Sequence, residues 1–191
     1  MHAWDPEVPI EETLGTLNSF VEAGKVRFLG VSNYTGWHIE RTVQIANQNG
    51  WQAPVLLQPQ YNLLARDIEL EVLPAAIENG LGILPWSPLG GGWLTGKYSR
   101  DSRPTGETRL GEDPNRGVEA YDRRNTERTW RVLEAVEEIA NQRGVTMSQV
   151  ALNWLRNRPS VSSVLLGART VEQLDDNLGA LDWDLTDDEM S

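Results

Sequence analysis

Short apolar segments alternate with amphipathic segments along the first 86 residues, and this alternation restricts the fold more than any other feature. Apolar residues at helical spacing predict helices, and runs rich in β-formers predict strands. The predicted order is helix 9–23, strand 26–31, helix 36–49, strand 55–57, helix 67–79 and strand 81–86. Strands that alternate with helices favour a parallel sheet with helices outside it. The chain is therefore predicted to be an α/β protein.

The second half of the sequence continues this pattern after a long polar interruption. Residues 99–124 show almost no apolar periodicity, which is typical of a functional lid or a disordered loop. After this segment the sequence predicts helices over 126–143 and 146–157, a strand over 163–166 and a helix over 170–181. We find no linker composition, so residues 1–191 are expected to form a single domain.

Composition excludes several classes of function. The formal net charge of −11 argues against a nucleic-acid partner, because a phosphate backbone would be repelled. No apolar run is long enough to span a membrane, and the first residues do not resemble a signal peptide. There are no cysteines, which fits a reducing compartment and excludes thiolate metal sites. We expect a cytoplasmic protein with no metal, membrane or nucleic-acid partner.

Polar side chains stand where two predicted strands end. Ser32 and Asn33 follow the strand 26–31, and Gln58 follows the strand 55–57. Hydroxyl and amide groups can donate to and accept from a planar carboxamide. Each residue alone is more typical of a turn or a helix cap than of a binding site, but three such polar residues at successive strand ends favour a binding site.

The third strand end combines a flat aromatic side chain with a glycine-rich turn. Trp86 could stack on a planar ring, and the turn that contains Ser87, Leu89 and Gly92 could bring backbone amides close to phosphate oxygens. The alternative is a flexible loop with Trp86 buried in the core. The glycine run matches neither a P-loop nor the dinucleotide G-x-G-x-x-G pattern.

The last helix begins with a motif suited to phosphate. Gly167 and Arg169 precede its first turn, and a helix N-terminus with an adjacent arginine attracts anions. Gln173 and Asn177 are four residues apart, so they lie on one helical face and could contact the same ligand. The alternative is ordinary capping by Thr170 with Arg169 in solvent.

His2 ends a stub strand over residues 1–4. An imidazole titrates near neutral pH, so His2 could assist proton transfer beside a reacting carbonyl. The alternative is an incidental polar residue near the start of the chain.

Taken together, these segments resemble the aldo-keto reductase family of NADP(H)-dependent (β/α)₈-barrel oxidoreductases. The similarity covers almost the whole chain in the family's order, in the following segments: His2 with 9–13, 24–33, 58–64, 85–98, and 167–170 with 173, 174 and 177. The resemblance implies an enzyme that reduces aldehydes or ketones to alcohols, with a small-molecule carbonyl substrate.

The resemblance also implies a role for each candidate residue. Ser32, Asn33 and Gln58 would bind the nicotinamide carboxamide, and Trp86 would stack on the ring. Ser87, Leu89 and the glycines that include Gly92 would hold the pyrophosphate. Arg169 would pair with the 2′-phosphate, while Gln173 and Asn177 would lie near the adenine. Gly167 stands where many relatives carry a lysine, which leaves Arg169 as the main cation.

Only one of the family's four catalytic residues has a counterpart here, namely His2. The resemblance therefore implies a partial barrel with strand 4 as a stub, strands 5 to 8 and their helices, whose remaining units would precede Met1. We expect this chain alone to be inactive and its unpaired barrel edges to favour self-association. The alternatives are a non-catalytic NADP-binding or interaction protein derived from the family, and an unrelated barrel enzyme that binds a sugar phosphate.

Overall fold

A computed structural model describes residues 1–191, and the chain divides into two compact units. Unit 1 contains residues 1–60, 67–86 and 159–163, whereas unit 2 contains residues 61–66, 87–158 and 164–191. The expectation that residues 1–191 form a single domain stays a prediction.

Unit 1 is built on a three-stranded parallel sheet. Its elements in chain order are α1 (Ile10–Glu22), β1 (Leu29–Ser32), α2 (Gly36–Asn49), β2 (Pro54–Gln58), a 3-10 turn (Asp67–Glu69), α3 (Val72–Glu78) and β3 (Gly82–Ile83). The strands lie in the order β1-β2-β3 and all pairs are parallel. The predicted α/β class is therefore confirmed for this part of the chain.

The core of unit 1 lies between the sheet and its helices. Leu57 of β2 is in register with Ile83 of β3, and both side chains are fully buried. Leu14 of α1 and Ile39 of α2 are also fully buried, as the helical spacing of apolar residues predicts. Because the three strands run parallel, their carboxyl ends lie at the same edge of the sheet.

Two predicted strands are wrong. Residues 163–166 form no strand, because pairing beyond β3 is limited to a single parallel bridge between Ile83 and Val161. Residues 1–4 also form no strand, although the Met1 nitrogen donates to the Gly30 carbonyl at 2.7 Å. In both places an apolar segment has too few backbone partners to extend a ladder.

Unit 2 is helical. Its elements are a 3-10 segment (Gly90–Thr95), α4 (Arg109–Glu112), a 3-10 turn (Gly117–Glu119), α5 (Tyr121–Arg124), α6 (Glu127–Arg143), α7 (Met147–Arg156), α8 (Val171–Leu178), a 3-10 turn (Gly179–Leu181) and α9 (Asp187–Met190). Its core includes Trp93, whose ring stacks on Tyr121 at 5.5 Å between centroids. None of the helices in the structure is both long and apolar enough to cross a membrane.

The polar segment 99–124 is more ordered than its composition indicates. It contains α4 and α5, and the side chains of Leu110 and Tyr121 are buried. The Tyr121 hydroxyl donates to the carbonyl of Ser99 at 2.7 Å. The buried anchors are too far apart to produce a helical or strand period, which explains why the sequence pattern indicates only a loop.

Candidate functional site

The candidate residues of unit 1 lie where its parallel strands end. Ser32 is the last residue of β1 and Gln58 is the last residue of β2. The Ser32 hydroxyl is buried and donates to the Gln58 carbonyl at 2.7 Å. The Gln58 carbonyl also accepts from the backbone nitrogen of Asn33 at 3.3 Å, while the Gln58 side chain is half-buried. The structure thus brings the polar ends of β1 and β2 together.

Asn33 connects three of the candidate residues in unit 1. Its φ of 56° is in the left-handed region, which asparagine tolerates better than most residues. Its side-chain oxygen accepts from the Trp86 indole nitrogen at 3.0 Å, and its amide nitrogen donates to the His2 carbonyl at 3.1 Å. The Asn33 side chain therefore links the Trp86 ring, through its oxygen, to the His2 backbone, through its nitrogen.

Trp86 is half-buried, so it is not simply a core residue. Its backbone nitrogen donates to Pro59, and its indole nitrogen is held by Asn33. Because the indole has a fixed hydrogen bond, the orientation of the ring is defined. A ring that is oriented and partly exposed is suited to stacking against a planar ligand.

The second histidine, His38, lies on α2 and is half-buried. Its ring stacks on Trp4 with centroids 4.2 Å apart. Its Nδ1 accepts from the Thr35 backbone nitrogen at 3.2 Å, which caps the start of α2. Burial lowers the pKa of His38, although Glu71 acts in the opposite direction. The threonine three residues before His38 is the sequence signal for this cap.

The seven candidate residues of unit 2 line a single cavity of about 560 Å³. They are Ser87, Leu89, Gly92, Gly167, Arg169, Gln173 and Asn177. Lys97 and Arg109 line the same cavity, and sequence reasoning missed both. The cavity therefore contains three cationic side chains, Lys97, Arg109 and Arg169, together with two acidic residues, Glu107 and Asp176.

The glycine turn gives this cavity its backbone surface. Gly92 has a φ of 100°, and a Cβ there would lie 2.4 Å from Lys97 Cε and 2.7 Å from its Nζ. A Cβ would therefore displace the end of the flexible Lys97 side chain, and the positive φ at this point of the turn favours glycine. Burial lowers the pKa of Lys97, and the nearby charge of Arg169 lowers it further. A bound anion would oppose this lowering of the pKa, because its negative charge would stabilise the protonated form of Lys97.

The N-terminus of α8 forms another wall of the cavity. The Thr170 hydroxyl accepts from the backbone nitrogen of Gln173 at 3.2 Å, and Gln173 Oε1 accepts from the backbone nitrogen of Arg169 at 2.9 Å. The Arg169 guanidinium contacts Glu112 Oε1 at 2.9 Å and the Glu107 carbonyl at 3.2 Å. Thr170 therefore caps α8, and Arg169 is held in place directly before this cap.

A buried ion pair between Glu119 and Arg124 stabilises the turn that begins at Ser87. Glu119 is 4% exposed, and it accepts from Arg124 Nε at 2.8 Å and from the Ser87 hydroxyl at 3.1 Å. Arg124 also donates to the carbonyl of Leu64 at 2.6 Å. Ser87 has a φ of 57°, so Glu119 helps to hold a strained residue of the cavity in place. Because residues 99–124 are mostly polar, their sequence pattern does not predict that Glu119 is buried and paired.

Comparison with known proteins identifies the class to which this arrangement belongs. Residues 1–191 match the model of the Aldo/keto reductase family, and the chain belongs to this family. The resemblance inferred from the motifs is therefore confirmed.

Several relatives show how broad this family is. The chain is 33% identical over 191 residues to versiconal hemiacetal acetate reductase of Aspergillus parasiticus and 35% identical over 182 residues to L-glyceraldehyde 3-phosphate reductase of Escherichia coli. It is 34% identical over 186 residues to a probable voltage-gated potassium channel subunit beta of Oryza sativa. These matches cover 100%, 94% and 95% of this chain, but 54%, 51% and 55% of the relatives. The chain thus spans about half the length of these relatives.

Proposed function

We propose that this chain supplies the cofactor-binding part of a cytoplasmic, NADP(H)-dependent oxidoreductase that reduces aldehydes or ketones to alcohols. The observation that carries the proposal is the cavity of unit 2, which is lined by the seven candidate residues of this unit and by two further cations, Lys97 and Arg109. Family membership supports the same activity, since two of the relatives described above are reductases by name. We also propose that the β/α units of the chain are part of a (β/α)₈ barrel.

The residues of unit 1 would bind the nicotinamide end of the cofactor. The Gln58 amide, with the second N–H and the second lone pair of the Asn33 amide, would offer donors and acceptors for a carboxamide, and the fixed Trp86 ring offers a stacking surface. The Ser32 hydroxyl already donates to Gln58, so it would contribute its lone pairs to the carboxamide nitrogen. When bound, the cofactor supplies the hydride.

The residues of unit 2 would bind the phosphates and the adenosine. The turn at Gly92 exposes backbone to the cavity, and Lys97 and Arg109 provide positive charge there. Arg169 would bind a 2′-phosphate at the N-terminus of α8, where the helix dipole also favours an anion. Gln173 and Asn177 would contact the adenine.

Within residues 1–191 the tyrosine hydroxyls are engaged in the chain's own structure. Tyr34 donates to Met1 Sδ, Tyr98 to the Gly91 carbonyl and Tyr121 to the Ser99 carbonyl, while the Tyr61 hydroxyl accepts from Arg158. Burial also raises the pKa of Tyr34 to about 12, which makes it a poor acid. We therefore propose that this chain alone binds NADPH without reducing an aldehyde. His2 would orient the carbonyl once a proton donor is supplied.

A titration of the chain with NADPH, followed by tryptophan fluorescence, tests cofactor binding. We expect saturable quenching with a dissociation constant in the micromolar range. A dissociation constant of 1 μM corresponds to a binding free energy of about −8 kcal/mol. Trp86→Phe should reduce the quenching and weaken binding. Trp37→Phe is the matched control, because Trp37 is 55% exposed on α2 and lies outside the candidate residues. Equal behaviour of the two variants, or no binding, would contradict the proposal.

The alternative is a non-catalytic NADP-binding or interaction protein. The similarity to a probable potassium channel subunit favours this candidate. A chimera that joins this chain to the portion of the E. coli reductase that it does not cover would separate the two functions. NADPH oxidation with L-glyceraldehyde 3-phosphate by the chimera supports the reductase. Binding without turnover supports the alternative.

A further inference from the structure

The cation proposed to bind the 2′-phosphate already has an acidic partner within unit 2. Both terminal nitrogens of the Arg169 guanidinium contact the segment 107–112, one at the carboxylate of Glu112 and the other at the carbonyl of Glu107. Arg169 lines the cavity, and the Arg169 and Glu112 side chains are 60% and 47% exposed, so the ion pair is accessible to a ligand.

Arg169 has no neighbouring cation on its own segment that could replace it. It is the only lysine or arginine between residues 159 and 191. Gly167, two residues before it, faces open space. Lys97 and Arg109 line the same cavity, but Arg169 is the cation that directly precedes α8, and Glu112 already neutralises it in part.

A carboxylate at this position has opposite effects on the two forms of the cofactor. A phosphate monoester carries roughly −1.5 to −2 charges at neutral pH, so Glu112 repels it and competes with it for Arg169. A ribose with a free 2′-hydroxyl has no such charge, and it can donate a hydrogen bond to a carboxylate, as in dinucleotide sites specific for NAD.

We infer that Glu112 is a specificity-determining residue that reduces the preference of this chain for NADP(H) over NAD(H). This inference depends on the proposed cofactor site. Arg169 favours the phosphorylated cofactor and Glu112 opposes it, so the balance of the two side chains sets the selectivity. The chain is then expected to bind both dinucleotides with only modest discrimination.

Glu112→Gln tests the inference, because it removes the charge at nearly constant shape. Asp113→Asn is the matched control, since it removes the same charge one residue away, and its oxygen can still accept from the Asn115 backbone. Dissociation constants for NADPH and NADH are measured by calorimetry for the wild-type chain and both variants. Glu112→Gln should raise the NADPH-over-NADH affinity ratio roughly two- to fivefold, the range of an exposed ion pair. Asp113→Asn should leave the ratio unchanged.

The ratio separates this inference from the proposed function. Binding of both dinucleotides with the same ratio in the wild-type chain and Glu112→Gln would overturn the role of Glu112 and leave the site intact. An equal rise in Asp113→Asn would also overturn it, since only general charge would then matter. Failure of every chain to bind either dinucleotide would overturn the site and the inference together. Both substitutions lie on exposed side chains, so neither is expected to unfold the chain.

Discussion

Replacing Glu119 by alanine should destabilise unit 2 strongly, because the change leaves Arg124 without its buried partner. The carboxylate of Glu119 is bound by Arg124 Nε at 2.8 Å and by the Ser87 hydroxyl at 3.1 Å. Breaking a buried pair by removing one partner costs about 3–5 kcal/mol. The Arg124 side chain is 17% exposed and retains the Leu64 carbonyl, so we expect a cost of about 2–4 kcal/mol.

A double-mutant cycle isolates the contribution of the pair. Far-UV circular dichroism in urea would give the free energy of unfolding for wild type, Glu119→Ala, Arg124→Ala and the double variant. The double variant should lose less than the sum of the singles, with a coupling energy of about 1–3 kcal/mol. The control is Asp122→Ala, because the Arg103–Asp122 pair lies in the same segment but is 61% and 56% exposed. Its cost should not exceed about 1 kcal/mol.

The reasoning fails if Glu119→Ala costs no more than Asp122→Ala. It also fails if the coupling energy is close to zero, since the two side chains would then act independently. Glu119→Gln is informative in addition, because glutamine can still accept from Ser87. It should cost less than alanine and retain more of the nucleotide affinity.

Three further predictions concern other contacts. Gly92→Ala should weaken NADPH binding, measured by calorimetry, because the new Cβ would displace Lys97. It should also lower the free energy of unfolding by about 1–3 kcal/mol, measured in urea, because a φ of 100° is strained for alanine. The hydrogen bond from Arg143, followed by that from the Thr186 backbone, lowers the pKa of Glu189 from 4.5 to about 2. The Glu189→Gln variant should therefore be less stable than wild type at neutral pH, and the difference should vanish as the pH falls from about 4.5 to about 2 in urea unfolding. Because bound phosphate would raise the lowered pKa of Lys97, NADPH affinity should fall as the pH rises into the alkaline range, and Lys97→Met should flatten that dependence in a binding titration.

Local signals were sufficient for most elements of unit 1. The helix predicted over 36–49 is observed as Gly36–Asn49, and it ends at Gly50 with a φ of 67°. The strand predicted over 55–57 is observed as Pro54–Gln58. These elements carry their own start and stop residues and their own apolar period. The strand predicted over 163–166 lacks such support, because a strand exists only where a neighbour pairs with it.

In the candidate site too, some residues are predictable from a local motif and others are not. Ser87, Gly92 and Arg169 are recognisable because each belongs to a short motif whose chemistry is local. Glu112 and Glu119 act through contacts with residues 57 and 32 positions away in the sequence. No periodicity or spacing predicts such pairs, since they depend on how the segment 99–124 packs against the rest of unit 2.

Hydrogen exchange with and without NADPH tests the central claim most directly, because it reports on each unit separately. We predict slower exchange in three regions of backbone, residues 30–34, 84–97 and 167–177, which contain Ser32, Asn33, Trp86 and the residues proposed to bind the phosphates and the adenine. Residues 132–143 of α6 should be unchanged, as they lie outside the candidate cavity. Protection confined to other regions, or none at saturating NADPH, would contradict the assignment of these residues to one cofactor.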